Sequence, residues 1–373
     1  MYLFPGRGPG TRPIRRWRSL SVGCHLLIAL VLAHGAAGCR DCASGPAPVT
    51  TAAGSVTVVD VAPVPDAGPG ANSVDGAAAT GLIPGATRPI LIAAAGDIAG
   101  RSNRHNETAA LLLAIDQRTP LDAILALGDL QYPRGDLHDF LAFYDPSWGV
   151  PRLRSLTHPV PGNHEYDQGR TNAGGYFDYF NGPGQPTGMA GDRDKGYYSF
   201  DLGAWHLVAI NSSDSCRRIP CAVGSPMHRW LVADLAATKQ KCVLAYWHHP
   251  RFQVGASHGD NSGIAPIWNA LVDAGAEVVL AGHDHNFQQL VRMGKNGQPS
   301  PTGVRSFVVG TGGAGAYPSF DESEHPHAAE TRFSRRVGVL LLTLTPEDFS
   351  WQFVATRGPG ASEVLAGGRD VCH

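Results

Sequence analysis

The sequence has few charged side chains and almost no net charge. Only 17% of its 373 residues are Asp, Glu, Lys or Arg, and the formal net charge is −2 with histidine neutral. Proteins that bind nucleic acid or anionic membranes through their overall charge have a clear basic excess. This composition therefore indicates neither class of partner.

The N-terminal region lacks an apolar run long enough to cross a bilayer comfortably. Its apolar run at 26–33 follows five arginines and precedes the small residues 35–38, which is typical of a signal peptide. We predict a signal segment at 1–39 and an exported protein, which would be extracellular, periplasmic or attached to the cell envelope. The small residues before Cys39 also resemble a lipoprotein cleavage site, which would place a lipid anchor on Cys39. Arg15-Arg16 leaves twin-arginine export as an alternative route.

Aromatic side chains are missing from residues 41–87. Four Asp are the only charged residues there, and most other positions are Ala, Gly, Pro, Val, Ser or Thr. Such a segment cannot bury enough apolar surface to fold alone. We predict a disordered linker at 40–88 and a folded domain at 89–373.

The four cysteines of the predicted domain lack the paired spacing of a structural zinc site. An exported protein meets oxidising conditions, so we expect these cysteines to form two disulfides. Four cysteines allow three connectivities. We favour Cys216–Cys221, which would close a short loop, together with Cys242–Cys372, which would tie the C-terminus to the start of a strand.

Short apolar runs recur along the domain and indicate buried strands. The clearest runs are Ile90–Ala95, Ala123–Leu127, Val243–Trp247 and Val278–Ala281. Segments with helical patterns separate several of them, and a series of strands follows residue 297. This order predicts an α/β fold of two packed mixed β-sheets flanked by helices.

Residues that bind metals follow these runs and a shorter run at 159–160. In α/β sheets, ligands bind at the carboxyl ends of the strands. Hard cations prefer carboxylate, amide and imidazole groups, and two adjacent cations need a bridging carboxylate. The sequence predicts a dinuclear metal site at the C-terminal strand ends, formed by Asp97, Asp129, Tyr132, Asn163, His248, His283 and His285.

Five motifs in these positions resemble those of a known superfamily. They are Gly96-Asp97-Ile98-Ala99-Gly100, Gly128-Asp129-Leu130-Gln131-Tyr132, Gly162-Asn163-His164-Glu165, His248-His249-Pro250 and Gly282-His283-Asp284-His285. In this order, they resemble the calcineurin-like metallophosphoesterases, and within them the purple acid phosphatase-type enzymes and their secreted bacterial relatives. The resemblance covers residues 90–357. It implies an αββα sandwich and an enzyme that hydrolyses small phosphomonoesters by attack of a metal-bound hydroxide.

The resemblance also implies a role for each matching residue. Asp129 would bridge two metal ions; the ligands of one ion would be Asp97, Tyr132 and His285, and those of the other Asn163, His248 and His283. A phenolate ligand suits Fe(III), so the expected cofactors are Fe(III) and a divalent Fe, Zn or Mn ion. His164 would face the substrate oxygen or leaving group, and His258 would contact the substrate and act as a general acid.

The chain departs from the family pattern in two places. Phe287-Gln288-Gln289 stands where Tyr-Glu-Arg often follows the last motif, and Trp247 stands where Gly is common before His248. The first departure puts a substrate role for that stretch in doubt, and Trp247 could narrow the pocket or simply pack. Two alternative functions also stay open: a phosphodiesterase or nucleotidase using the same site, because the loops at 170–195 and 212–224 set that choice, and a non-catalytic metal-binding protein of the cell envelope.

Overall fold

The computed structural model describes residues 88–167, 170–326, 328–358 and 360–373. The predicted signal segment at 1–39, with Cys39, lies outside the described residues. The predicted linker at 40–88 lies outside them too, apart from Arg88.

The first of two sheets has six strands in the order β13-β12-β11-β1-β2-β3. Its first three strands in the chain, β1 to β3, run parallel, and the last three run antiparallel to their neighbours. Their bounds are β1 Ile90–Ala95, β2 Ala123–Leu127, β3 Thr157–Val160, β11 Gly338–Leu344, β12 Asp348–Thr356 and β13 Ser362–Val371.

The second sheet has seven strands in the order β10-β8-β9-β7-β6-β5-β4. Four neighbouring strands, β5, β6, β7 and β9, run parallel, and antiparallel strands complete both edges. Their bounds are β4 Tyr198–Leu202, β5 Trp205–Ala209, β6 Cys242–Tyr246, β7 Val278–Ala281, β8 Phe287–Leu290, β9 Arg305–Val309 and β10 Ala329–Phe333.

Helices lie between the strands of the parallel regions. Their bounds are α1 His105–Arg118, α2 Leu137–Asp139 continued by a π-helical turn Phe140–Tyr144, α3 Pro151–Leu156, α4 Gly174–Asn181, α5 Ser213–Cys216, α6 Pro226–Ala237, a 3-10 turn Ser262–Ile264 and α7 Ala265–Asp273. The Ser225 hydroxyl accepts a hydrogen bond from the His228 N–H, which caps α6. None of the helices in the described residues is long and apolar enough to span a bilayer.

Strand β6 shows how the layers are built, because it is buried on both faces. Leu244 and Tyr246 contribute to the core between the sheets, whereas Val243 and Ala245 belong to a second core with residues of α6 and α7. Aromatic side chains join the two sheets directly: the ring centroids of Phe287 and Phe353 lie 4.5 Å apart, and others form similar contacts. The predicted sandwich of two mixed sheets flanked by helices is confirmed.

The C-terminal segment links the two sheets. The Cys242–Cys372 disulfide joins the start of β6 to the residue after β13, and Cys216–Cys221 closes a short loop, so the favoured connectivity is confirmed. Asp370 accepts hydrogen bonds from Arg292 Nε at 2.9 Å and Arg305 Nε at 3.0 Å. The chain end is therefore fixed to the second sheet by a covalent bond and by partly buried ion pairs.

We predict that His206 in β5 makes a pH-dependent contribution to the stability of the fold. Its Nδ1 lies 2.7 Å from Asp201 Oδ1 and its Nε2 lies 2.9 Å from Asp234 Oδ2. Burial lowers the pKa of His206, but the two carboxylates outweigh burial and raise this pKa above its ordinary value of 6.5. Such a group stabilises the fold fully below the unfolded-state pKa, and the contribution is lost as pH rises through the folded-state pKa.

His206→Gln should therefore lower the free energy of unfolding more at about pH 6 than at about pH 9, measured by urea denaturation. The exposed His138 provides the control, since His138→Gln should have little effect at either pH. An equal loss at both pH values for His206→Gln would contradict the prediction.

Candidate metal centre

The carboxyl ends of the parallel strands from both sheets meet at one end of the sandwich. Asp97 follows β1, Asp129 follows β2, and His248 follows β6. Backbone hydrogen bonds cross from one sheet to the other here, from Gly96 N–H to Val309 C=O at 2.9 Å and from Gly312 N–H to Gly96 C=O at 2.9 Å. All seven predicted ligands come together at this junction.

Four of these side chains form a first cluster around the Tyr132 hydroxyl. Tyr132 Oη lies 2.8 Å from Asp97 Oδ1, 3.0 Å from His285 Nε2 and 3.3 Å from Asp129 Oδ2. His285 Nε2 lies 3.3 Å from Asp97 Oδ1. Two carboxylates, a phenol and an imidazole thus direct their polar atoms to one point.

A second cluster surrounds His248 and shares Asp129 with the first. His248 Nε2 lies 3.2 Å from Asn163 Oδ1, from His283 Nδ1 and from Asp129 Oδ2. The same oxygen of Asp129, Oδ2, therefore takes part in both clusters. This is the position that a carboxylate bridging two cations would occupy.

The protonation of two histidines follows from their backbone partners. His248 Nδ1 lies 2.8 Å from the Leu127 carbonyl, and His285 Nδ1 lies 2.6 Å from the Gly315 carbonyl. A carbonyl only accepts, so Nδ1 carries the hydrogen and Nε2 faces the acceptor oxygens of the clusters. An Nε2 atom that faces carboxylate and amide oxygens needs a positive charge there, which a ring proton or a bound metal ion supplies, and metal-binding histidines are oriented by this kind of carbonyl contact.

The charges of the site are also those of a cation-binding site. Asp97 and Asp129 are buried, and within the described residues their ion-pair partners are all histidines. Burial lowers the pKa of His248, but the Asp129 carboxylate outweighs burial and raises it to about 9. Burial, with Asp97 and Asp129 nearby, raises the pKa of the Tyr132 phenol well above its ordinary value. A phenolate at Tyr132 therefore requires a strong positive charge beside it.

Backbone conformation turns the side chains inward. Asp97, Asp129 and His283 have φ of 62°, 49° and 72°, in the left-handed region that side-chain-bearing residues rarely adopt. Strain of this kind is concentrated at functional sites. Glycine is required at position 162 because Asp129 packs closely against it: a Cβ there would lie 2.2 Å from Asp129 Oδ1.

Glu165 supports the loop that carries Asp129 and Tyr132. This buried carboxylate accepts four backbone hydrogen bonds, from Asp129 N at 2.9 Å, Leu130 N at 2.9 Å, Gln131 N at 3.1 Å and Gly162 N at 2.7 Å. Burial and the Asp129 carboxylate raise the pKa of Glu165 to about 7, and the N–H groups of Gly162 and Gln131 oppose the rise. Sequence reasoning included Glu165 in a motif without giving it a role.

Three further side chains border the clusters. His164 Nε2 lies 3.8 Å from Asp129 Oδ2, and the ring of His258 lies 4.0 Å from that of His283. Tyr317, which no sequence motif indicated, stacks on His285 with centroids 4.2 Å apart. The two predicted catalytic histidines thus lie beside the predicted ligands.

His249, which follows His248 in its motif, is a fourth neighbour of the clusters. Its Nδ1 lies 3.0 Å from the Ser212 hydroxyl, and the side chain is buried. One ring nitrogen from each of His248, His249 and His283 nevertheless lies within 4.8 Å of the others. His249 therefore borders the second cluster.

Comparison with known proteins agrees with this geometry. The family model of the calcineurin-like phosphoesterases matches residues 90–287. No curated protein matches the sequence. The chain belongs to the calcineurin-like phosphoesterase family. Members of this family use a dinuclear metal site.

Solved structures resemble the fold at low sequence identity. A purple acid phosphatase from yellow lupin (Lupinus luteus) seeds has a TM-score of 0.62 and 15% identity, covering 76% of this chain and 54% of that one. PhoD has a TM-score of 0.57 and 14% identity, covering 78% and 71%. GAP50, the anchor in the inner membrane complex of Plasmodium, has a TM-score of 0.55 and 13% identity, covering 76% and 89%. The chain spans about half the length of the lupin phosphatase.

Proposed function

We propose that this protein is an exported phosphatase that hydrolyses small phosphomonoesters at a dinuclear metal centre, as in purple acid phosphatase-type enzymes. One observation carries the proposal: His248 and His285 are held through Nδ1, so that their Nε2 atoms face buried carboxylate and amide oxygens in the orientation of metal-binding histidines. This donor set fits two cations.

The two clusters correspond to two ligand sets with a shared carboxylate. In the proposed assignment, Asp129 bridges the ions; the first set is Asp97, Tyr132 and His285, and the second is Asn163, His248 and His283. The first ion would be Fe(III), because only a strongly charged cation would stabilise a Tyr132 phenolate beside two carboxylates. The second ion is divalent Fe, Zn or Mn.

The chain's own residues position the phosphoester at this centre. When bound, the cations supply Lewis-acid polarisation of the phosphoryl group and of water. His164 donates from Nδ1 to the Pro133 carbonyl at 2.6 Å, which leaves Nε2 available to a phosphoryl oxygen or the leaving group. His258 borders the second cluster, beside His283, and contacts the substrate from the side of that cluster.

The two disulfides support export, because such bonds persist in oxidising compartments. Under the proposal, residues 1–39 direct the protein out of the cytoplasm, Cys39 can carry a lipid anchor, and the domain at 89–373 acts in the cell envelope or outside the cell.

Metal analysis combined with turnover of a substrate panel tests the function. The purified protein is assayed with p-nitrophenyl phosphate, bis(p-nitrophenyl) phosphate and a nucleotide, and its metal content is measured in parallel. We expect about two ions per chain and a preference for the monoester. A preference for the diester or nucleotide would replace the monoesterase proposal. No turnover of any ester despite two bound ions would exclude catalysis and support the metal-binding envelope protein.

Tyr132 tests the identity of the first ion. Oxidised protein should be purple from phenolate-to-Fe(III) charge transfer, and Tyr132→Phe should lose this visible absorption. Tyr317→Phe is the matched control, because Tyr317 stacks on His285 outside the proposed ligand set and should keep the colour. Colourless, iron-free and active protein would refute the iron assignment and leave Mn or Zn.

A further inference from the structure

His258 lies in a loop that is fixed to the rest of the domain. Ala256 N–H donates to the Ser319 carbonyl at 3.1 Å, and Gln253 N–H donates to Asp260 Oδ1 at 3.0 Å. His325 Nε2 lies 2.7 Å from Asp260 Oδ2. The position of His258 is therefore determined on both sides by contacts with other parts of the fold.

The side chain of His258 has one strong partner, the carboxylate of Asp284. His258 Nδ1 lies 2.7 Å from Asp284 Oδ1, and Asp284 is completely buried. The second oxygen, Oδ2, accepts a hydrogen bond from Asn286 Nδ2 at 3.2 Å. A carboxylate only accepts, so His258 Nδ1 carries a hydrogen and donates it to Asp284.

The chain is shaped to allow this contact. A Cβ at Gly255 would lie 1.5 Å from Asp284 Oδ2, so any other residue there would push the loop away from the carboxylate. Gly255 also forms an isolated bridge with Phe320. Glycine at this position lets the His258 loop close directly over Asp284.

His258 also borders a cavity beside the two side-chain clusters. The cavity has a volume of about 340 Å³ and is bordered by Ser215, His249, His258, Asn261 and His283. The ring centroids of His258 and Tyr317 lie 5.2 Å apart, and about a third of the His258 side chain is exposed. With Nδ1 occupied, Nε2 is the nitrogen left to face this cavity.

We propose that Asp284 is a positioning residue for His258. Asp284 holds His258 in the Nδ1–H tautomer and in one orientation, with Nε2 directed to the space where the phosphoester binds. Its effect on catalysis rests on the proposed function, whereas its effect on the tautomer and orientation of His258 does not.

Nitrogen NMR of the histidine side chains tests the tautomer without any assay of activity. In the full chain labelled with ¹⁵N-histidine, His258→Gln identifies the signal of His258. We expect the Nδ1–H tautomer in the wild type and a mixture of tautomers in Asp284→Ala, at a pH where the ring is neutral. An Nε2–H tautomer in the wild type, or an unchanged signal in Asp284→Ala, would overturn the proposal.

Kinetics of single and double variants test the catalytic consequence. Asp284→Ala should lower kcat by about tenfold to a hundredfold, and Asp284→Asn, which keeps an acceptor oxygen for Nδ1–H, should lose less. In a His258→Ala background, Asp284→Ala should lower kcat less than about twofold further, because the two residues act as a unit. Additive losses would overturn the proposal even if the NMR result holds. Absence of turnover in the wild type would instead reject the proposed function, and the NMR experiment would still decide the role of Asp284.

Discussion

Asp129→Asn is expected to lower phosphoester turnover by roughly a thousandfold, or about 4 kcal/mol in activation free energy, and to reduce bound metal below two ions per chain. Asp129 Oδ2 takes part in both clusters, through Tyr132 Oη at 3.3 Å and His248 Nε2 at 3.2 Å. An amide group has no negative charge, and if its oxygen takes the place of Oδ1, its NH₂ group stands in the place of Oδ2 and cannot bind a cation, so it cannot bridge two cations as a carboxylate does.

Asp129→Asn keeps a second hydrogen bond of Asp129, so a loss of activity can be attributed to the loss of the carboxylate. Asp129 Oδ1 accepts a hydrogen bond from the His164 N–H at 2.8 Å, and an asparagine oxygen can accept it equally. Asp116→Asn provides a control, because Asp116 is paired with Arg152 on the surface and its loss should leave turnover and metal content unchanged. Asp129→Asn with two ions per chain and more than about a tenth of the activity would contradict the bridging assignment.

Glu165→Gln is expected to lower the free energy of unfolding by roughly 2–4 kcal/mol. Each oxygen of Glu165 accepts two backbone N–H groups, and a glutamine amide would place its NH₂ group against two of those donors. Two buried N–H groups without an acceptor cost about 1–3 kcal/mol each, offset in part by removing a buried carboxylate beside Asp129. The loop with Asp129 would lose its support, so metal retention should fall as well.

Urea denaturation and metal analysis of the purified variant measure both effects. Glu107→Gln is the matched control, since Glu107 pairs with Arg104 at the surface and should contribute less than about 1 kcal/mol. An unfolding curve and a metal content equal to those of the wild type would show that Glu165 does not support the loop.

The sequence predicted the central strands well because they are buried on both faces. The predicted runs Ile90–Ala95, Ala123–Leu127 and Val278–Ala281 coincide with β1, β2 and β7. Continuous apolar runs of this kind have few other uses in an α/β protein. The edges were harder: β13, whose residues are mostly exposed or half-buried and include Gly367 and Gly368, has no clear strand pattern.

Helix α4 was missed because its sequence is unfavourable for a helix. It begins at Gly174-Gly175 and contains several aromatic residues, which have lower helix propensity than Ala or Leu. Its formation depends on tertiary contacts: Tyr176 and Phe177 are fully buried in the main core. Such contacts with distant residues are not visible in a local pattern.

The residues of the candidate site that lie in sequence motifs could be predicted. Contacts between residues that are far apart in the sequence could not. The seven predicted ligands lie together at the carboxyl ends of the strands, as their motifs predict. The contact of His258 with Asp284 joins residues 26 positions apart, and that of Glu165 with Asp129 joins residues 36 apart. The position of Tyr317 beside His285 likewise had no signal in the sequence, because only the folded loop brings the two rings together.

Both clusters are assembled from the two sheets at once. In the first, Asp97 and Tyr132 come from the sheet of β1 and β2, while His285 follows β7 in the other sheet. In the second, Asn163 follows β3 and meets His248, which follows β6. Under the proposed assignment, each ion is bound by residues of both sheets and so links the two sheets at the site. Metal affinity and the alignment of the sheets are then linked, so a substitution deep in the inter-sheet core could weaken metal binding without touching a ligand.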